Sequence, residues 1–293
     1  MNILITGATG FIGRHLGRAL AAQHIVFGLT RNPGTLTEIA GCPIIADLSD
    51  THFVADLPAN IDCVIHLAQS ASYRDFPEGA EDMRLINIDA TAKLLEWARN
   101  VGVKQFVYTS TANVYGKSTK ALTESDPTQP NTFYGASKLA AEHLALQYHE
   151  YFQVDVLRCF TVYGPDQSGM LIPNIIERIN TSKPVTLAEG VGIYLSPIYI
   201  GDVGVIINRL ITTPARQKNR LMNVCGDQLT SLSEIVMIAE EIIGKPAIVR
   251  MTDDEAVYFT GSNERLRNYL SGYRFVDIRT GLERVIHQNN MLH

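Results

Sequence analysis

Short, wholly apolar runs alternate with longer amphipathic stretches through the first half of the chain. Asn2–Thr6, Ile25–Leu29, Pro43–Ala46, Cys63–Leu67, Gln105–Thr109 and Val154–Arg158 are rich in β-branched residues. They lack in/out alternation, which is the pattern of strands buried on both faces. Between them, Ile12–Ala22, Ile86–Asn100 and Tyr134–Phe152 place apolar residues at helical spacing. Strand and helix in this order predict an α/β fold with a doubly wound parallel sheet of the Rossmann type. The ligand of such a sheet lies at the carboxyl ends of its strands.

After Gly164 the rhythm changes. Helical stretches at Pro173–Thr181, Ser231–Ile243, Glu264–Leu270 and Thr280–His287 are separated by short strands at Val185–Leu187, Leu221–Val224 and Ile248–Met251. This predicts a dinucleotide-binding domain over 1–165 and a smaller C-terminal α/β lobe over 166–293 that binds substrate. No internal repeat is present.

Hydrophobic residues make up 46% of the 293 and charged residues 19%, enough apolar side chain for a substantial core. A net charge of −5 and the lack of any Lys/Arg cluster argue against a nucleic-acid partner. A small anionic substrate stays possible, because a few cations in a cleft suffice to hold one. Cys42, Cys63, Cys159 and Cys225 are scattered, with no C-x-x-C pair and no histidines at ligand spacing. Reduced thiols and no metal site are expected. The N-terminus runs straight into a glycine motif without the basic segment of a signal peptide. The apolar stretch 198–211 is broken by Asp202, Asn208 and Arg209, so no membrane span is expected. Together these readings place the protein in the cytoplasm.

Gly7-Ala8-Thr9-Gly10-Phe11-Ile12-Gly13 follows a predicted strand and opens a predicted helix. Gly7 permits the tight turn, Gly10 lets a pyrophosphate approach the backbone, and Gly13 lets helix and strand pack closely. The N–H groups at the helix start favour an anion. Gly7, Gly10, Phe11, Ile12 and Gly13 are therefore candidate dinucleotide-binding residues.

A second constellation lies at the start of another helix. Tyr134-Gly135-Ala136-Ser137-Lys138 sets a phenol and an ammonium four residues apart, on one helical face. A phenol titrates near pH 10 and is a poor base at neutrality, but an adjacent ammonium stabilises the phenolate. Tyr134 can then take a proton from an alcohol, or give one to a carbonyl, while a hydride moves to or from a nicotinamide.

With its G-x-x-G-x-x-G spacing, the chain resembles the extended branch of the short-chain dehydrogenase/reductase superfamily, which includes the NAD-dependent epimerases and dehydratases of nucleotide sugars. The resemblance runs over nearly the whole sequence. It implies that Asp47-Leu48 holds the adenine, and that Leu67-Ala68 after His66 lies beside the cofactor. It also implies that Asn87, in Asn87-Ile88-Asp89-Ala90-Thr91, belongs to the cofactor site. Thr109-Ser110-Thr111-Ala112-Asn113-Val114-Tyr115-Gly116 resembles S-S-x-x-V-Y-G and puts Thr111 at the catalytic Ser/Thr position. Lys138 would also hold the nicotinamide ribose. Dehydratases of the family carry T-D-E where this chain has Thr111-Ala112-Asn113, which disfavours water elimination.

Arg158-Cys159-Phe160-Thr161-Val162-Tyr163-Gly164-Pro165 resembles the L-R-x-x-N-x-Y-G-P segment and puts Phe160 near the nicotinamide. Two substrate-side positions depart from the pattern: Thr161 replaces Asn, and Leu195 replaces an arginine that grips phosphate. Arg178, Lys183 or Arg250 are possible replacements for that charge. NAD-specific relatives place Asp near Thr30, where this chain has Thr30-Arg31. Arg31 therefore points to NADP(H) ahead of NAD(H), its alternative being a solvated loop residue. The resemblance also implies a homodimer paired through 86–100 and 134–152. The function expected is an NAD(P)-dependent epimerase or reductase interconverting hydroxyl and keto groups, foremost on a nucleotide sugar. The alternatives are a reductase or dehydrogenase of a smaller alcohol or carbonyl compound, and a non-catalytic NAD(P)-binding sensor.

Overall fold

The six apolar runs of the first half fold as strands, separated by the expected helices. In the computed structural model, which describes residues 1–213 and 218–291, these strands are β1 (Asn2–Thr6), β2 (Ile25–Thr30), β3 (Cys42–Ile45), β4 (Cys63–His66), β5 (Gln105–Thr111) and β6 (Gln153–Cys159). The helices between them are α1 (Phe11–Ala21), α2 (Ala80–Met83), α3 (Ala90–Val101) and α4 (Phe133–Gln147). Then follow β7 (Val162–Tyr163), α5 (Leu171–Asn180), β8 (Val185–Ala188), β9 (Ile193–Leu195), β10 (Ile198–Tyr199) and α6 (Ile200–Thr212). The last elements are β11 (Asn219–Val224), β12 (Thr230–Ser231), α7 (Leu232–Ile243), β13 (Val249–Thr252), β14 (Val257–Phe259), α8 (Glu264–Tyr269) and α9 (Ile278–Met291).

Seven strands form the main sheet in the order β11-β6-β5-β4-β1-β2-β3. β1 pairs in parallel with both β2 and β4, so the strand order reverses direction on either side of β1. A crevice opens at such a switch point. β4 pairs with β5 and β2 with β3 in the same sense. On one face, Leu4, Leu29, Val64, Phe106 and Tyr108 of the sheet pack with Leu94, Leu95 and Trp97 of α3 and Ala141 and Ala145 of α4. Each of these side chains is under a tenth exposed.

The chain divides into two compact units, and not at a single cut. The first comprises 1–116, 126–158 and 204–222; the second comprises 117–125, 159–203 and 223–293. The second unit has a two-stranded sheet of β10 and β7, a three-stranded sheet β12-β9-β14, and a β13-β8 pair.

Besides short elements the sequence did not predict, such as α2, β9 and β14, the helices differ from the pattern in three places. The stretch 86–100 is interrupted by a π-helical turn, Arg84–Asp89, between α2 and α3. The helix expected to reach Phe152 ends at Gln147, and Tyr148–Glu150 tightens into a 3-10 turn. The run at 198–211 is helical from Ile200, with Ile206, Ile207, Leu210 and Ile211 buried at helical spacing. Among the described residues no helix is long and apolar enough to cross a membrane.

Candidate active site

The glycine loop spans the switch point. Gly7 has φ +69°, and a Cβ there would come within 2.9 Å of the Ala68 amide nitrogen, so the loop after β1 lies directly against the loop after β4. At Gly13 a Cβ would fall 2.2 Å from the Gly7 carbonyl oxygen, which no side chain tolerates. Gly10 precedes α1, and no side chain caps the helix there. Its N-terminal amides are thus open toward a phosphate. Phe11 and Ile12 are half-buried at that entrance, with the Phe11 ring edge-on to His15. These residues fit a dinucleotide. Asp47 accepts from the Ser49 amide and hydroxyl, each at 2.9 Å, and so forms the turn in which Leu48 is buried.

Behind this loop a hydrogen-bonded chain connects β1 with α4. His66 is fully buried, and its imidazole is held neutral, down to about 3, first by burial and then by the Lys138 charge. The Thr91 hydroxyl donates to the Asn87 carbonyl at 2.8 Å, so toward His66 Nε2 at 2.9 Å it can only accept. The proton therefore sits on Nε2. Nδ1 accepts from the Thr6 hydroxyl at 2.6 Å, and the Thr6 oxygen accepts in turn from the Ala68 amide at 3.3 Å. Asn87 uses both ends of its amide on protein groups. Its Oδ1 accepts from Ser70 N–H and its Nδ2 donates to Ser137 Oγ, both at 2.9 Å. Ser137 Oγ donates to the Tyr134 carbonyl at 2.8 Å. Asn87 thus ties the β4 loop to the helix carrying Tyr134, and the π-turn sets its position there.

Thr111 closes β5 with its side chain buried, and its Oγ1 accepts from Asn113 N–H (3.2 Å) and Asn113 Nδ2 (3.0 Å). Tyr134 is the second residue of α4, a helix capped by Thr132 Oγ1 accepting from Gly135 N–H at 3.0 Å. Lys138 is 2% exposed, and its Nζ lies 4.3 Å from the centre of the Tyr108 ring. The aromatic face attracts the ammonium through its quadrupole. The Tyr134 hydroxyl donates to Gln69 Oε1 at 2.7 Å, and the Tyr73 ring packs 5.2 Å from the Tyr134 ring. Phe160 lies in the second unit, buried against the Phe259 ring and over Gly261.

Two further residues belong to this site, Gln69 and Gly135. Nothing in the linear chain marks Gln69. Gly135 does carry a signal, since glycine in the first turn of a helix marks a close approach. A Cβ at Gly135 would sit 2.2 Å from the Asn113 carbonyl oxygen, so the start of α4 rests on the turn after Thr111. Gly135→Ala is expected to lift Tyr134 from Thr111 and lower kcat by roughly 10²-fold, the scale of a misplacement of about 1 Å. Circular dichroism should show the helix retained, and unchanged kcat would refute the role given to this contact.

Leu195, the position where the resemblance implies an arginine, is 1% exposed and presents only a buried alkyl group. Arg178 donates to the Pro184 carbonyl at 2.7 Å, and Lys183 and Arg250 are exposed. A cavity within the second unit is lined by Lys120, Ser196, Asp227, Tyr258, Thr260 and Arg267, among others. Its arginine is paired with Asp227 at 3.7 Å, so this wall is not uniformly cationic.

A doubly wound sheet with a glycine loop at its switch point and a Tyr/Lys pair beside it defines a dinucleotide enzyme fold of the extended short-chain dehydrogenase/reductase type. The NAD dependent epimerase/dehydratase family matches residues 3–225, and the chain belongs to it. It is 29% identical to an uncharacterized UDP-glucose epimerase of Bacillus subtilis, covering 86% of this chain and 85% of that one. A probable UDP-glucuronate 4-epimerase of Rhizobium meliloti is 26% identical, with 98% and 96% covered. The solved UDP-glucuronic acid 4-epimerase of Bacillus cereus, in complex with UDP-glucuronic acid and NAD, superposes with a TM-score of 0.89 at 28% identity over the whole of both chains.

The cofactor expectation is corrected by this comparison. Arg31 pointed to NADP(H), whereas the similar solved enzymes hold NAD. The loop after β2 supplies a physical reason. Arg31 is exposed, and its neighbours are neutral groups satisfied by one another: Thr30 Oγ1 with Thr35 Oγ1 at 2.9 Å, Thr35 Oγ1 to the Asn32 carbonyl at 2.8 Å. A single solvated guanidinium gains little by leaving water for an anion. The favoured cofactor is NAD.

Proposed function

We propose that this chain is an NAD-dependent epimerase of nucleotide sugars, working on a UDP-hexose or UDP-hexuronate in the cytoplasm. The observation carrying this reading is the Thr111/Tyr134/Lys138 set, in which Tyr134 and Lys138 share one stripe of α4 and the start of α4 rests on the turn after Thr111, in a fold shared with UDP-sugar 4-epimerases. Bound NAD would supply a hydride acceptor that returns the hydride to the same substrate. Tyr134 takes the proton of the reacting hydroxyl, aided by the Lys138 charge, and gives it back when the carbonyl is reduced from its other face. Thr111 orients the reacting oxygen, and Lys138 binds the nicotinamide ribose. Gly7, Gly10, Phe11, Ile12 and Gly13 carry the pyrophosphate, Asp47-Leu48 the adenine, and Leu67, Ala68 and Phe160 the walls of the cofactor site. Asn87 acts through Ser137 and Ser70. With Ala112 and Asn113 beside Thr111, no carboxyl pair is present there to eliminate water.

The test is a panel of UDP-, GDP-, CDP- and dTDP-sugars incubated with the NAD-loaded protein. Interconversion of two epimers without net change in nicotinamide absorbance is expected, with UDP-sugars as best substrates. Stoichiometric NADH formation would instead mean a dehydrogenase. Buried Leu195 favours a second reading, in which the substrate is a smaller carbonyl or alcohol compound without a diphosphate. Binding of such a compound in preference to every nucleotide sugar would select it. A homodimer through α3 and α4, implied by the resemblance, is read out by sedimentation.

A further inference from the structure

The hydroxyl of Tyr134 has its proton directed at a side chain of the protein itself. Gln69 Oε1 accepts it at 2.7 Å, the length of a well-formed O–H···O bond. Gln69 is exposed, yet the backbone on either side of it is fixed. Ala68 N–H is held by Thr6 Oγ1 at 3.3 Å and Ser70 N–H by Asn87 Oδ1 at 2.9 Å. Beyond them Ser70 Oγ is bonded to Asp82, and Tyr73 and Phe76 pack on Tyr134 and Phe133. The Gln69 side chain alone can turn away, by rotation about its own χ angles. A carbonyl oxygen accepting from the phenol reproduces the contact that a substrate carbonyl makes as it is about to be protonated.

We propose that Gln69 is a positioning residue whose amide carbonyl occupies the seat of the substrate's reacting oxygen, keeping the Tyr134 phenol protonated and aimed until substrate displaces it. The identity of the displacing substrate rests on the function proposed above; the Gln69–Tyr134 contact does not. An amide oxygen can only accept from the phenol, so it stabilises the neutral form against the phenolate that Lys138 favours. Arrival of a substrate oxygen removes that acceptor, and base strength rises only in the loaded site. The titratable and charged groups around Tyr134 include Tyr73 of the loop, its ring 5.2 Å away, with Arg74 5.0 Å over that ring, and Tyr108 on β5, which carries Lys138 of α4 over its face. Replacing Gln69 alters none of them directly.

The experiment uses NAD-loaded protein labelled at the tyrosine ζ carbons, with the Tyr134 resonance assigned by its loss in Tyr134→Phe. Its titration midpoint is expected to fall by about half to one pH unit in Gln69→Ala, the equivalent of one hydrogen bond, and to rise above the wild-type value in Gln69→Glu. Coincident midpoints in the wild type and Gln69→Ala overturn the proposal. In a second arm, calorimetry with UDP-glucuronate should show Gln69→Ala binding about two- to tenfold tighter than the wild type, with no gain when made in Tyr134→Phe. An equal gain in both backgrounds, or weaker binding with Tyr134 present, also overturns it. If the wild type binds no UDP-sugar, the proposed substrate class is what has failed, and the titration still decides the role of Gln69.

Discussion

Tyr134→Phe is expected to lower turnover by roughly 10²–10⁴-fold, the range that positioned proton transfer contributes. The substitution removes one oxygen and little else. The phenyl ring keeps its packing on Tyr73, and the Tyr134 carbonyl still accepts from Ser137. The Thr132 cap and the Gly135 contact with the Asn113 carbonyl do not involve the phenol, so α4 stays in place. NAD affinity, which the proposed function assigns to the glycine loop and Lys138, should change by less than the turnover does. Measuring kcat at saturating substrate beside a fluorescence titration of NAD separates the two. A variant with near wild-type kcat would remove Tyr134 from the chemistry.

The second large effect is on stability. Glu142 stands two helical turns beyond Tyr134, on the same stripe of α4 as Tyr134 and Lys138. It binds Arg158 of β6 at 2.8 Å, and both side chains are nearly inaccessible, 2% and 6% exposed. The guanidinium is also stacked 4.7 Å over the Tyr115 ring. Glu142→Ala would leave a cation buried without its counter-ion, at a cost of about 3–5 kcal/mol. That is a large part of the stability of an ordinary domain. Urea denaturation followed by tryptophan fluorescence should show a much lower midpoint with an unchanged slope. Glu142→Gln, which keeps an acceptor, should lose less. A midpoint within experimental error of the wild type would mean that the pair contributes nothing. Because α4 carries both the ion pair and the Tyr/Lys pair, the folded fraction must be measured before any loss of activity in these variants is assigned to chemistry.

Much of this site is legible in local sequence. The strands β1, β2, β4, β5 and β6 are recognisable because burial on both faces demands apolar runs, and their bounds differ from expectation by at most two residues. The glycine loop is recognisable because Gly13 cannot accommodate a Cβ and Gly7 requires positive φ. The Tyr134/Lys138 stripe follows from 3.6 residues per turn. Features that depend on partners distant in the chain are less legible. The π-turn at Arg84–Asp89 is invisible to helical periodicity, since one wide turn barely disturbs the apolar spacing. In α6 the polar residues Asp202, Asn208 and Arg209 rule out a membrane span without revealing a helix, because apolar residues flank them on every side.

NAD in place of the expected NADP(H) has a related physical origin. The residue type of Arg31 suits a phosphate, but its value there depends on exposure and on the groups beside it, which the linear chain does not display. The sequence by itself determined the order of the elements, the glycine turn between β1 and α1 and the phenol–ammonium spacing, because periodicity and backbone sterics act over a few residues. Tertiary structure alone decided the tautomer of His66, the bridging use of Asn87 and the acceptor facing Tyr134. Each of these is a hydrogen bond between residues 17 to 65 positions apart, and only the folded sheet brings such residues within 3 Å of one another.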